Sequence, residues 1–185
     1  MANSKTDLST FNNKWYKPGG NVISRLIWYF VNAMFFKSSY PLMGPKRFLL
    51  RLFGAEIGKK LIIKPHVSIK YPWNLSIGNH CWLGENVWID NLDKVEIGNN
   101  VCISQGALIL SGNHNYKSRS FDLMVKPIII EDGVWIGAKS IVCQGIRCKS
   151  HSVLMVNSVA NSDLEEYGIY RGNPAEKIKE RVINN

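Results

Sequence analysis

IGKKLIIKPHVSIKYPWNLSIGNHCWLGENVWIDNLDKVEIGNNVCISQGALIL (57–110) is the stretch whose reading decides the fold. Counted in sixes it gives Ile57, Ile63, Ile69, then Ile77, Leu83, Ile89, then Ile97, Ile103, Ile109. The count resumes beyond it with Ile130, Ile136, Val142, Cys148 and Leu154. Thirteen of these 14 positions are Ile, Leu or Val, types that make up about a quarter of the chain, so composition alone does not produce the register. Gly58, Gly78, Gly98 and Gly137 recur just after the aliphatic residue, and two extra residues precede both Ile77 and Ile97.

A six-residue period is neither the 3.6 of an amphipathic helix nor the strict alternation of a lone strand. It is met by a short parallel strand and a turn, repeated three times per coil of about 18 residues, with one aliphatic side chain per side stacked inward. Glycine and asparagine suit the backbone that the corners require. The expected class is all-β, a solenoid of triangular coils over residues 56–174 with a cap at each end. Residues 175–185 (AEKIKERVINN) read as a short closing helix, and residues 1–55 as a polar tail followed by a helical, basic cap.

Within that N-terminal part, residues 22–36 (VISRLIWYFVNAMFF) are the most apolar run, but fall short of the roughly 20 residues a membrane span needs. Residues 45–55 (PKRFLLRLFGA) place Phe48, Leu49, Leu52 and Phe53 beside Lys46, Arg47 and Arg51. That pattern suits a capping helix, and also one lying on anionic lipid. Charge points to the same end. The 185 residues carry a formal +9, yet residues 1–70 hold 12 Lys/Arg against Asp7 and Glu56 alone, while the remainder holds 11 against 12. The basicity therefore belongs to the first third, where peripheral contact with an anionic membrane surface would draw on about 1 kcal/mol per basic residue. No nucleic-acid motif accompanies it.

Cys81, Cys102, Cys143 and Cys148 form no Cys-x-x-Cys pair, so neither a disulfide framework nor a structural zinc site is indicated. A reducing, cytoplasmic setting is the simplest expectation, and residues 1–20 lack the apolar run of a secretory signal.

The repeat breaks once, between Ile109 and Ile130, where residues 115–127 read as an inserted loop with His114 at its mouth. Inserted loops on rigid scaffolds tend to carry function. His66, His80 and His151 fall at coil corners and read as solvated turn residues. Neither a Gly-x-Ser-x-Gly elbow nor a Walker loop is present. A lone histidine without a protein nucleophile suits general-base activation of a substrate hydroxyl that attacks an acyl donor directly.

These residues carry a resemblance. The register, together with GNHNYKSRSFDLMVKPIIIEDGVWIGA (112–138), GNPAEKI (172–178), RLFGAEIG (51–58), YPWNLSIG (71–78) and NVCISQGA (100–107), resembles the hexapeptide-repeat O-acetyltransferases. Within them it is most similar to the colanic acid biosynthesis acetyltransferase subgroup. The resemblance implies a left-handed parallel β-helix, an exception to the usual right-handed crossover rule. It implies acetyl-CoA as donor, no metal, and a saccharide acceptor from an exopolysaccharide or lipid-linked precursor. It also implies a homotrimer with sites between neighbouring prisms, which fits Trp82, Trp88 and Trp135, exterior by register and in want of a partner.

By the same resemblance His114 matches the catalytic base, and Ala138 the position whose backbone N–H faces the oxyanion. Trp135, Gly137, Ala138, Val156, Asn161 and Ser162 match the cofactor-binding edge, with Lys177 and Lys179 toward its phosphates. Asn86, Asn91 and Tyr116 are the expected acceptor contacts. Relatives typically carry Gly-Ala-Gly-Ser and Val-Thr-Lys where this chain has Met155-Val156-Asn157-Ser158 and Ala160-Asn161-Ser162, a bulkier edge lacking a lysine. Two other readings remain open. One is a non-catalytic scaffold or membrane-surface module; the other is a zinc carbonic anhydrase of the same prism type, which would need a His-x-x-x-x-His pair that this chain lacks.

Overall fold

Every hexad position closes a stack in the computed structural model, which describes residues 5–184. Ile57, Ile77, Ile97, Ile130 and Cys148 pair in register along the first face. Ile63, Leu83, Ile103, Ile136, Leu154 and Tyr170 do so along the second. Ile69, Ile89, Ile109, Val142 and Ala160 form the third. All of these but Ile57 are buried, and at about 1.5–3 kcal/mol for a fully buried large aliphatic side chain the three columns dominate the stability. The faces are sheets of five, seven and five strands, parallel throughout except for the last strand of the second, and mostly two or three residues long.

Two corners are uniform. Lys60, His80, Asn100, Gly133, His151 and Tyr167 turn the chain from first to second face, and His66, Asn86, Gly106, Lys139 and Asn157 turn it from second to third, all with positive φ. The three corner histidines are thus turn residues, as their spacing implies. His151 stacks on Tyr167 of the next coil at 4.9 Å. Close approach also fixes Gly137, where a Cβ would meet the Val156 nitrogen at 2.5 Å.

The third corner, from third face to first, holds every departure from the period. The extra residues of the first two coils lie there as Tyr71–Asn74 and Asn91–Lys94. The insertion follows at the third coil. It is not a plain loop: Gly112–His114 and Leu123–Val125 pair as an antiparallel hairpin, anchored by the Lys126 N–H on the Ser111 carbonyl at 3.0 Å.

The ends are closed differently. Helix α1 (Val22–Val31), capped by the Asn21 side chain on the Ser24 N–H, runs on through a π turn at Asn32–Phe36. It buries Trp28 against Phe36 and Phe53, ring centroids 5.2 Å away in each case, and the indole N–H donates to the Ile69 carbonyl at 2.9 Å. Helix α2 (Met43–Leu52) lies across the first coil. That coil has no neighbour below, so its outward carbonyls need donors. Lys46 reaches the Lys64 carbonyl at 3.3 Å, Arg47 that of Leu61 at 3.4 Å, and Arg51 those of Ile57 and Gly58 at 3.0 and 3.1 Å. The basic side of α2 is therefore taken up by the solenoid's edge.

At the far end the expected helix over 175–185 is corrected. Ala175–Glu180 is a strand, antiparallel to Gly168–Gly172. A lone helix of this length is marginal, whereas the last strand of the second face has an open edge to satisfy. Among the described residues no helix is long and apolar enough to cross a membrane.

Candidate active site

His114 ends the first arm of the hairpin and is half-buried. Its Nδ1 lies 2.8 Å from the Phe121 carbonyl oxygen. A carbonyl only accepts, so Nδ1 carries the proton and Nε2 presents its lone pair. The Phe121 ring stacks on the imidazole at 4.5 Å and 8°. Phe121 holds a φ of +53°, a left-handed conformation unusual for an aromatic residue. The connecting turn ties itself down to sustain it: Ser118 Oγ and Ser120 Oγ each donate to the Asp122 carboxylate at 2.6 Å, which holds that acid below the usual carboxylate range.

His114 also meets the N-terminal segment, at the Phe11 ring, tilted with centroids 5.8 Å apart. Read from sequence as a polar tail, this segment is a docked strap along the third corner. The Asp7 N–H donates to the Arg119 carbonyl at 2.8 Å, and the Asp7 carboxylate pairs with the Arg119 guanidinium at 3.0 Å. Tyr16 Oη donates to the Leu92 carbonyl at 2.7 Å, and the Trp73 indole N–H to that of Pro18 at 2.6 Å. Gly19 and Gly20 lie flat on Trp73. The strap thus docks on the residues added to each coil, a signal visible in the sequence as the two-residue excess but not connected to the tail.

Trp135, Gly137, Ala138 and Val156 come together at the second corner. The Ala138 carbonyl accepts from the Asn157 N–H at 2.9 Å, while the Ala138 N–H is bonded to no carbonyl among the described residues. The corner geometry leaves the same N–H free at Gln105 one coil below. Trp135 is 48% exposed and its indole N–H reaches Ser104 Oγ at 2.9 Å. Val156 is exposed on the coil above.

Three expectations are corrected here. Asn91 is fully buried, its amide accepting from the Tyr71 N–H at 3.0 Å and donating to the Tyr71 carbonyl at 2.5 Å, so it ties backbone together out of an acceptor's reach. Asn161 and Ser162 lie at the third corner, because four or five residues beyond Asn157 is most of one face. Lys177 and Lys179 sit on the closing strand, not a helix, and Lys177 is paired with Glu180 at 2.6 Å. Asn86 is an exposed corner residue lining a cleft of about 400 Å³ with Trp88, Asp90 and Tyr29. Tyr116 stands 76% exposed at the hairpin tip. No cluster of three His, Cys, Asp or Glu suited to a metal occurs among the described residues.

A comparison with protein-family models finds no match. Over 177 residues, 95% of this chain and 97% of the other, the sequence is 37% identical to the putative colanic acid biosynthesis acetyltransferase WcaF of Escherichia coli strain K12. It is 28% identical over 149 residues to the galactoside O-acetyltransferase of the same organism, covering 78% and 73% of the two chains. Among solved structures, the hexapeptide-repeat containing acetyltransferase VCA0836 of Vibrio cholerae matches with a TM-score of 0.77 at 25% identity, over 85% of this chain and 90% of that one. VCA0836 has also been solved with acetyl coenzyme A, matching here at 24% identity.

Proposed function

The chain belongs to the hexapeptide-repeat acetyltransferases, with the colanic acid biosynthesis acetyltransferases as its group, and from that premise we propose that it moves an acetyl group from acetyl-CoA to a saccharide hydroxyl. The acceptor class that fits is an exopolysaccharide unit or a lipid-linked precursor of one. The observation that carries the mechanism is the 2.8 Å contact of His114 Nδ1 with the Phe121 carbonyl oxygen. With Nδ1–H held by the Phe121 carbonyl, Nε2 accepts the proton of the acceptor hydroxyl as its oxygen attacks the thioester carbonyl. The Ala138 N–H supports the negative charge developing on that carbonyl oxygen, a donor typically worth about 3 kcal/mol in the transition state. Collapse expels the CoA sulfur, which takes the proton back from His114.

Direct transfer, without an acyl-enzyme, is favoured by the state of the thiols. Burial raises the pKa of Cys81, Cys102 and Cys143, and pushes Cys148 up to about 12, so none offers a thiolate near neutrality. The donor groove would run along the second corner past Trp135, Gly137 and Ala138, narrowed by Val156, with Lys179 as a cation for phosphate.

His114 and Ala138 stand at different corners of one prism. Six residues of coil separate Ala138 from the next corner, about 20 Å at ~3.3 Å per residue. A homotrimer resolves this by setting the third corner of one copy against the second corner of its neighbour. The exposed Trp82, Trp88 and Trp135 supply apolar surface for that contact.

The test is acetyl transfer from acetyl-CoA to a panel of glycosides by wild type and His114→Ala. Transfer by wild type and a fall of about 10²–10⁴ in the variant are expected. Equal rates would refute the role of His114. No turnover by either protein, with no heat of CoA binding, would favour a non-catalytic scaffold.

A further inference from the structure

Helix α1 is apolar on both sides. Its inner face buries Trp28, while Ile23, Leu26, Ile27, Phe30 and Met34 recur at helical spacing on the outer face, each between 49% and 69% exposed. Its polar residues Ser24, Arg25 and Asn32 are half-buried, and an outward face this apolar belongs against an apolar medium or a partner, not in water. Phe48 and Leu52 on α2 add exposed apolar surface at the same end of the prism.

The charge at this end narrows what covers it. Lys46, Arg47 and Arg51 are occupied by the carbonyls of the first coil. Lys37, Lys59, Lys60 and Lys64 are exposed and have no ion-pair partner among the described residues. Up to residue 70 the acids are Asp7, already paired with Arg119, and Glu56. A second copy docking through this face would bring lysines against lysines, whereas an anionic bilayer offers hydrocarbon for the helix and counter-charge for its rim.

We propose that the α1 end of the prism is a membrane-docking surface: Ile23, Leu26, Ile27, Phe30 and Met34 enter the acyl boundary of an anionic leaflet, and Lys37, Lys59, Lys60 and Lys64 meet its headgroups. The site differs from the one that sequence pattern suggests, since α2 serves as a lid and α1 makes the contact. It does not depend on the acetyltransferase reading, and a glycoside assay on the same preparations separates the two.

The experiment is co-sedimentation of the full chain with vesicles of phosphatidylcholine alone or with about 30 mol% phosphatidylglycerol. Wild type should pellet with the anionic vesicles only, and less at high salt. Leu26→Ser/Phe30→Ser should abolish pelleting with circular dichroism and particle size unchanged. Lys59→Gln/Lys60→Gln/Lys64→Gln should weaken partitioning by about fivefold per lysine, on the order of 100-fold together. The lysine variant also keeps the test alive if the α1 variant misfolds. Absence of wild-type binding to anionic vesicles, undiminished binding by both variants, or a smaller particle in the α1 variant would overturn the proposal. The last outcome would make the face an interface between copies.

Discussion

At the scale of single residues, the site depends on backbone groups as much as on side chains. His114 is orientated by a carbonyl whose direction requires Phe121 at positive φ, and by the ring of that same residue. Phe121→Ala removes the stack and leaves a β-carbon in the same strained region. The expected result is a kcat about tenfold or more below wild type, with KM for acetyl-CoA unchanged, read by steady-state kinetics. Gly137→Ala probes the donor edge. Its Cβ would lie 2.5 Å from the Val156 nitrogen and 2.7 Å from the Leu154 carbonyl, backbone that cannot swing aside, so a loss of about 1–3 kcal/mol in chemical denaturation is expected. The place of His114 at the base of the hairpin was legible in the sequence because an interrupted period marks where a coil stops serving the core. The role of Asn91 was not, since an asparagine that satisfies buried backbone and one that faces a ligand occupy the same kind of turn.

At the scale of elements, the strap and the hairpin act as one unit joined by Asp7 and Arg119. Ser9 and Arg119 hold the Asp7 carboxyl below its ordinary range, so the latch is fully formed above the unfolded value of about 3.9 and is lost as pH falls through the lower folded value. Protection of the strap amides, taken against intrinsic exchange at each pH, should therefore fall only in strong acid in wild type, and already at neutral pH in Asp7→Asn. Phe11→Ala, with the latch intact, is expected to raise the KM for the acceptor and leave that for acetyl-CoA unchanged, because the ring lies 5.8 Å from that of His114, the proposed base. Nothing local in a stretch of Asn, Lys and Gly announces such docking. Its contacts span up to 112 residues, and it has no periodicity because it lies on a surface whose shape other segments make. The closing strand escaped detection for a related reason: its charge pattern favours a helix, and only the open edge beside it selects a strand.

For the whole molecule, the three columns were readable because each is a sum over equivalent positions, and a stack tolerates little variation along it. The ends obey no such sum. Truncation after Asn173 would uncover the edge of Gly168–Gly172, and the shortened chain is expected to self-associate in light scattering while far-ultraviolet dichroism stays strand-like. The concentration of every added residue on the third corner has a further consequence. It divides the prism into a framework of fixed coil length and one margin where length is free to change. Two corners cannot gain a residue without shifting a whole column, so the donor half of the proposed reaction is held in place by architecture. The remaining corner can be rewritten piece by piece, and a protein of this build can be re-addressed to a new acceptor without relearning how to fold.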